Sequence, residues 1–231
     1  MKKSKKIVSL VVLLILISSQ TIYASDSVDV LKNLKDIADE YNATVTTIDS
    51  KEAKDRTFIV VNNVEEVNDL IKGVKAKMHE NFSYETKTKK ETVNTRGIPS
   101  AEVEYGNKTH TIKKWGIWKW YLNGTTAQVG GFRNITFACK YKKITSPISG
   151  NVYYKFEEIK NRDIKSSLTG VTPGVSWTHD VGVANFEKDN TVAKLEVSGT
   201  LEIGIEYDGN NYGIDIGDTW NMECTIDDVI D

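Results

Sequence analysis

The sequence has few of the residues that build common catalytic and metal centres. Its 231 residues include two cysteines and three histidines, and the histidines are scattered. Two cysteines alone cannot form a cysteine-ligated metal site. The motifs Gly-x-Ser-x-Gly and His-Glu-x-x-His and a phosphate-binding loop are all absent. We therefore predict no catalytic residues, no metal site and no cofactor.

Long apolar runs are also missing, apart from one at the start of the chain. Four lysines precede an apolar run from Ile7 to Ile17, and a polar stretch follows that ends at Ala24. These are the three parts of a secretory signal peptide, and the run is shorter than the roughly 20 apolar residues that span a bilayer. We expect residues 1–24 to be removed, leaving a mature protein that begins at Ser25. No cysteine follows Ala24 directly and no apolar tail closes the sequence, so we expect a secreted bacterial protein without a stable membrane anchor.

The net charge of the chain is small, but basic and acidic residues are concentrated in different segments. Without residues 1–24 there are 26 basic and 32 acidic residues, a net charge of −6 that does not favour nucleic acid as a partner. Residues 107–165 carry an excess of nine positive charges, and residues 186–231 carry an excess of ten negative charges. We expect basic strands beside acidic strands in one sheet. The alternative is a separate charged binding face.

The first part of the mature chain has a helical pattern around two short strands. Apolar residues recur at helical spacing between Val30 and Tyr41, and again after Asn63, which has the position of a helix N-cap. Short strands are expected at 44–48 and 58–61. Residues 25–82 are thus predicted to form a small α/β unit, which could be a pro-segment, and the polar residues 83–99 are predicted to be a linker.

From about residue 100 the apolar period changes to two, which is typical of strands with one buried face. The longest alternation runs from Leu195 to Tyr207, and Asp208-Gly209 then provides a hairpin turn. The same turn also begins like a calcium loop, but it has Tyr212 and Thr219 where ligands belong. Residues 100–231 are predicted to be a mainly antiparallel β-sandwich, or a barrel, of about eight strands. The fold class is therefore α+β.

The two cysteines, Cys139 and Cys224, both lie on the apolar faces of their predicted strands. An even cysteine number in an exported protein favours pairing, so we predict a disulfide between them. The alternative is two buried thiols that pack as small hydrophobic groups.

The densest aromatic segment of the sequence is 115–121. Trp118 and Trp120 would share one face of a strand, and Trp115 would lie on the other. Exposed indole rings stack on sugars and form interface hot spots, whereas buried rings would be core. We predict Trp115, Trp118 and Trp120 as weak candidates for ligand binding.

These observations favour a non-catalytic extracellular binding or structural protein. Its partner is unknown, and cell-wall polysaccharide or another extracellular protein would fit. Alternatives are a hydrolase with an unrecognised site and a membrane-active toxin that inserts residues 191–216. Ser176, His179 and Asp180 are close in sequence, but neighbours on a strand point to opposite faces, so they do not form a triad.

Overall fold

The computed structural model describes residues 29–78, 101–122, 125–170 and 174–231, without the side chains of 77, 78 and 117–130. Most of these residues lie in antiparallel strands, which form two sheets and are accompanied by few helices. The elements in chain order are α1 (29–40), β1 (Ala43–Ile48), a 3-10 turn (Ala53–Asp55), β2 (Ile59–Val61), α2 (Val64–Met78), β3 (Glu102–Leu122), β4 (Thr125–Thr145), β5 (Val152–Ile159), a 3-10 turn (Asn161–Asp163), β6 (Lys165–Thr169), β7 (Val175–Glu187), β8 (Val192–Tyr207), β9 (Asn210–Thr225) and α3 (Ile226–Ile230). The α+β class and the sandwich-like arrangement are confirmed at this level.

The N-terminal helices and strands lie close to where the sequence pattern predicts them. The backbone N–H of Glu66 donates to Asn63 Oδ1 at 2.9 Å, so the predicted N-cap is present. Glu66 in turn accepts from the backbone N–H of Asn62 at 2.9 Å, which satisfies a second donor near the helix start. The predicted signal peptide, residues 1–24, and the whole predicted linker, residues 83–99, lie outside the described residues, and the domain boundaries remain predictions.

Sheet A combines the N-terminal strands with the C-terminal hairpin. Its order is β1-β9-β8-β2, and β7 also pairs with β8. Among the described strand pairs of this sheet, β2–β8 is parallel and the others are antiparallel. Asp208 and Gly209 have φ values of 50° and 70°, as a two-residue hairpin turn between β8 and β9 requires. The predicted strand from Leu195 to Tyr207 and its turn are confirmed.

Sheet B contains β3, β4, β5 and β6. The long strands β3 and β4 pair along their whole lengths, and the other edge of β4 pairs with β6 and β5 in turn. In the described part of the chain, seven strands follow residue 100, against the predicted eight. The basic segment lies mainly in sheet B and the acidic segment in sheet A. The expectation that the two would neighbour each other in one sheet is therefore wrong, because each strand pairs first with the strands close to it in sequence.

One face of the β8–β9 hairpin is covered by two different layers. Near the hairpin turn it packs against α1 and α2 through residues such as Ile203, Ile205 and Ile214. Farther from the turn it packs against sheet B through residues such as Leu195, Val197 and Met222. Because these β8 residues are all odd-numbered, they point to the same side of sheet A. This face therefore supports both cores.

A polar and aromatic junction separates the two cores. Arg133 from β4 and Asp218 from β9 are both buried there, with Nη2 and Oδ2 3.9 Å apart. The Trp220 ring stacks on Trp177 with centroids 4.0 Å apart, and Trp220 Nε1 donates to Asp218 Oδ2 at 2.9 Å. Strands β4, β7 and β9 are therefore fixed to one another at this point.

Candidate ligand-binding face

Trp115 and Phe132 form an exposed aromatic pair on sheet B. These residues are directly opposite each other on β3 and β4. Their ring centroids are 4.8 Å apart with an interplanar angle of 68°, which is a favourable edge-to-face contact. Trp115 is 50% exposed and Phe132 is 39% exposed. Both rings are therefore available to a ligand while they support each other.

Strand alternation explains why this pair faces solvent. Ile112 on β3 and Ile135 on β4 are partners in the register, and both are buried in the core between the sheets. Trp115 and Phe132 are each three residues away, so they project from the opposite side of sheet B. We call this side the outer face of sheet B.

Asn134 is buried next to the aromatic pair. Its Nδ2 donates to Thr169 Oγ1 at 2.9 Å and to the carbonyl oxygens of Phe132 and Ser167 at 3.2 and 3.3 Å. These two carbonyl acceptors fix the orientation of the amide. Its Oδ1 is also buried and accepts no hydrogen bond from a described residue. Asn134 therefore fixes the position of β6 beside Phe132.

The outer face continues from the aromatic pair as a row of polar side chains and a groove. Thr111 Oγ1 and Thr136 Oγ1 are hydrogen-bonded at 2.8 Å. Beyond them lies a groove of about 480 Å³, lined by residues that include Thr109, Ala138 and Lys140. The small side chain of Ala138 leaves this space open. Outer-face side chains therefore combine hydroxyl groups, amides and ammonium groups.

Tyr105 lies at the far end of the same face and is 61% exposed. Lys140 Nζ is 5.1 Å from the centroid of its ring, which is a cation–π contact. Ten residues of β3 separate Tyr105 from Trp115, a distance of about 33 Å at the usual rise of a strand. The face is thus long and narrow, with an exposed aromatic ring at each end.

The three predicted tryptophans are only partly placed by the structure. Trp115 lies on the outer face as described above. Trp118 and Trp120 continue β3 and pair in the backbone with Val129 and Ala127, but their side chains lie outside the described part. Phe132 was not among the candidates predicted from sequence, although it alternates with Asn134 and Thr136 in the same way as an exposed strand residue. The missing information was the β3–β4 register.

The predicted disulfide between Cys139 and Cys224 is wrong, because both cysteines are free and buried. They enter the same core from opposite sheets, so the predicted inward facing is present. Cys139 Sγ donates instead to the carbonyl oxygen of Lys108 at 3.4 Å. Burial raises the pKa of Cys224 to about 12 and also raises the pKa of Cys139. Both thiols therefore act as small core groups, because facing one core does not by itself give bonding geometry.

His179 forms a hydrogen bond with Ser166, which is distant in sequence, and not with the nearby Ser176. Its Nδ1 is 2.7 Å from Ser166 Oγ on β6, and Trp177 Nε1 donates to the same oxygen at 2.8 Å. Burial lowers the pKa of His179, Lys165 lowers it further, and Asp180 acts in the opposite direction. The contact therefore has a structural role, because it joins β6 of sheet B to β7 of sheet A.

The outer side of sheet A has a separate cleft, whose lining includes Glu202 and Arg56. Glu202 on β8 lies opposite Asp215 on β9 and forms an ion pair with Arg56. Burial raises the pKa of Asp215, and the charge of Glu202 adds to this effect. The cleft has a volume of about 400 Å³ and includes Ser176. Within the described ranges, no group of three or more His, Cys, Asp or Glu residues could hold a metal ion.

Comparison of the chain with known proteins found no match among family models, curated proteins or solved structures. Among the described helices, none has both the length and the apolar character needed to cross a membrane.

Proposed function

We propose that this protein is exported from a bacterial cell and binds an extended extracellular polysaccharide without chemically changing it. The ligand would lie along the outer face of sheet B. The observation that carries this proposal is the exposed Trp115–Phe132 pair beside a row of hydroxyl groups. Flat apolar rings can cover the apolar faces of sugar rings, while hydroxyl and amide groups bond to sugar hydroxyls.

The shape of the face also supports a polymer as the ligand. Small-molecule sites are concave and bury most of their ligand. Here Trp115 and Tyr105 are separated by about 33 Å along one strand, with an open groove between them. A linear chain can contact both ends and the groove at once, and several weak contacts then add to one useful affinity.

The N-terminal unit belongs to the proposed binding protein. Strands β1 and β2 pair with β9 and β8, and helix α2 covers Ile203, Ile205 and Ile214. If residues 25–82 were a pro-segment, their removal would expose this apolar surface to water.

The toxin alternative is less well supported. Leu195, Val197 and Leu201 of the proposed inserting hairpin are at most 2% exposed, since helices and sheet B cover them. Insertion would require the loss of both covering layers. The two remaining candidates differ in one measurable result. A hydrolase would release soluble products from the polymer, whereas a binding protein would release none.

The experiment is a co-sedimentation of the secreted protein with a panel of insoluble polysaccharides and purified cell walls. N-terminal sequencing of the secreted protein should give Ser25. We expect the protein to be retained by at least one polymer and to release no soluble sugar from it. Release of sugar would favour the hydrolase, and no retention by any polymer would refute the proposal.

A further inference from the structure

We propose that the polymer on the outer face of sheet B is polyanionic, and that Lys113 and Lys165 bind its acidic groups. This inference rests on the proposed function and specifies its ligand. Lys113 is the register partner of Asn134, and Lys165 is the register partner of Thr136. The two lysines therefore lie on the strands that flank β4, at positions two residues apart along it.

Both ammonium groups are available to a ligand. Lys113 and Lys165 are exposed, and within the described part of the chain neither forms an ion pair with a carboxylate. Adjacent strands are about 4.8 Å apart and each residue advances about 3.3 Å along a strand, so the two lysine backbones lie roughly 12 Å from each other across β4. That separation suits acidic groups repeated along one polymer chain.

The other end of the same sheet is electrostatically different. Lys142 Nζ is 2.9 Å from Glu157 Oε2, Lys160 Nζ is 3.9 Å from Glu158 Oε2, and Lys155 pairs with Asp189. These charges are compensated within the protein. Lys113 and Lys165 have no such partner among the described residues, and they lie nearer to Trp115, where the proposed sugar contact lies, than Lys142 does.

The opposite side of the molecule strengthens this asymmetry. The outer side of sheet A carries acidic residues, among them Glu196, Glu206 and Asp215. A polyanion is repelled by this surface and attracted to sheet B. Because the mature chain is acidic overall, a net-charge argument would predict no polyanion binding. The arrangement of the charges predicts it.

The experiment compares matched polymers that differ in charge. The probes are polygalacturonate with its methyl ester, and carboxymethyl cellulose with hydroxyethyl cellulose. Affinity electrophoresis of the mature chain should show at least about tenfold tighter binding to the charged member of a pair. The difference should vanish in 1 M salt, where the screening length falls to about 3 Å.

Variants assign the charge effect to the two lysines. The double variant Lys113→Gln/Lys165→Gln should lose the preference for the charged polymer and keep the binding to the neutral one. Lys51→Gln/Lys54→Gln removes two exposed charges from the loop before β2 and should change neither. Trp115→Ala should weaken binding to both members of a pair.

Equal binding to charged and neutral polymers would overturn this inference and leave the proposed function intact. An unchanged preference in Lys113→Gln/Lys165→Gln would likewise refute the assignment to these lysines. Binding to none of the four polymers would overturn the inference, and a negative polysaccharide panel would then also refute the proposed function.

Discussion

The guanidinium of Arg133 lies between a carboxylate and an aromatic ring at the boundary of the two cores. Its Nη2 is 3.9 Å from Asp218 Oδ2, and its Cζ is 5.4 Å from the centroid of the Trp220 ring. The two charged side chains are only 4% and 2% exposed. This pair joins β4 of sheet B to β9 of sheet A in a region from which water is nearly excluded.

Replacement of Asp218 by Ala should strongly destabilise the protein. It leaves the buried Arg133 charge without this carboxylate and removes the acceptor of Trp220 Nε1. Breaking a buried pair in this way costs about 3–5 kcal/mol of unfolding free energy. Chemical denaturation would measure the loss. The control is Glu187→Gln, which breaks an exposed pair with Lys194 and should cost less than about 1 kcal/mol. Similar losses for the two variants would contradict the role given to the buried pair.

Two neighbouring glycines of sheet A should respond differently to the same substitution. A Cβ at Gly199 would lie 2.3 Å from Thr178 O and 2.4 Å from Trp177 Cζ2. Gly199→Ala should therefore displace Trp177 and cost about 1–3 kcal/mol. At Gly217, which pairs with the next residue of β8, a Cβ would meet nothing within 4 Å. Gly217→Ala should be neutral or slightly stabilising in thermal melting. Equal effects at both positions would contradict the close approach of Thr178 and Trp177 to Gly199.

The free cysteines predict a clear result in thiol alkylation. Unfolded protein that has not been reduced should gain two carbamidomethyl groups by mass spectrometry. Native protein should react slowly, because both thiols are buried and the pKa of Cys224 is raised to about 12. A loss of two hydrogen atoms from the intact mass, with no alkylation, would instead demonstrate the disulfide.

Local structure could be predicted from sequence because it depends on period and turn chemistry. The alternation from Leu195 to Tyr207 and the Asp208-Gly209 turn gave the β8–β9 hairpin correctly. The start of α2 could be predicted from Asn63, because an N-cap side chain only has to accept a hydrogen bond from a backbone amide three residues later. These signals lie within one segment of the chain.

Long-range pairing could not be predicted in the same way. Nothing near Ser166 indicates that it will meet His179 and Trp177, because that contact depends on how sheet B lies on sheet A. The full set of residues in the exposed aromatic pair could not be predicted from sequence for the same reason. Trp115 was a candidate from its sequence neighbourhood, whereas Phe132 became one only when the register placed it opposite.

The burial of His179 predicts a pH-dependent stability. Burial lowers the pKa of His179 below its usual value of 6.5, and burial also lowers that of His110. Between the folded-state pKa and 6.5, the unfolded chain binds more protons than the folded chain. Stability should therefore be fully present above about pH 6.5 and decrease as the pH falls through this window.

Thermal melting between pH 7.5 and 5.5 would measure this effect. His179→Gln should reduce the slope, and the part due to His110 should remain. A slope unchanged in His179→Gln would show that the burial of His179 does not contribute to this pH dependence.

The most direct test uses the polysaccharide that retains the protein in co-sedimentation. The affinity of the Trp115→Ala variant for this polymer is measured together with the melting temperature of the variant. Because Trp115 is half exposed, the variant should bind about tenfold or more weakly and lose only a few degrees of Tm. Val181→Ala, an exposed apolar residue of sheet A, should retain both properties of the parent protein. Unchanged affinity in Trp115→Ala, or unfolding of this variant, would contradict the claim that the outer face of sheet B is the binding site.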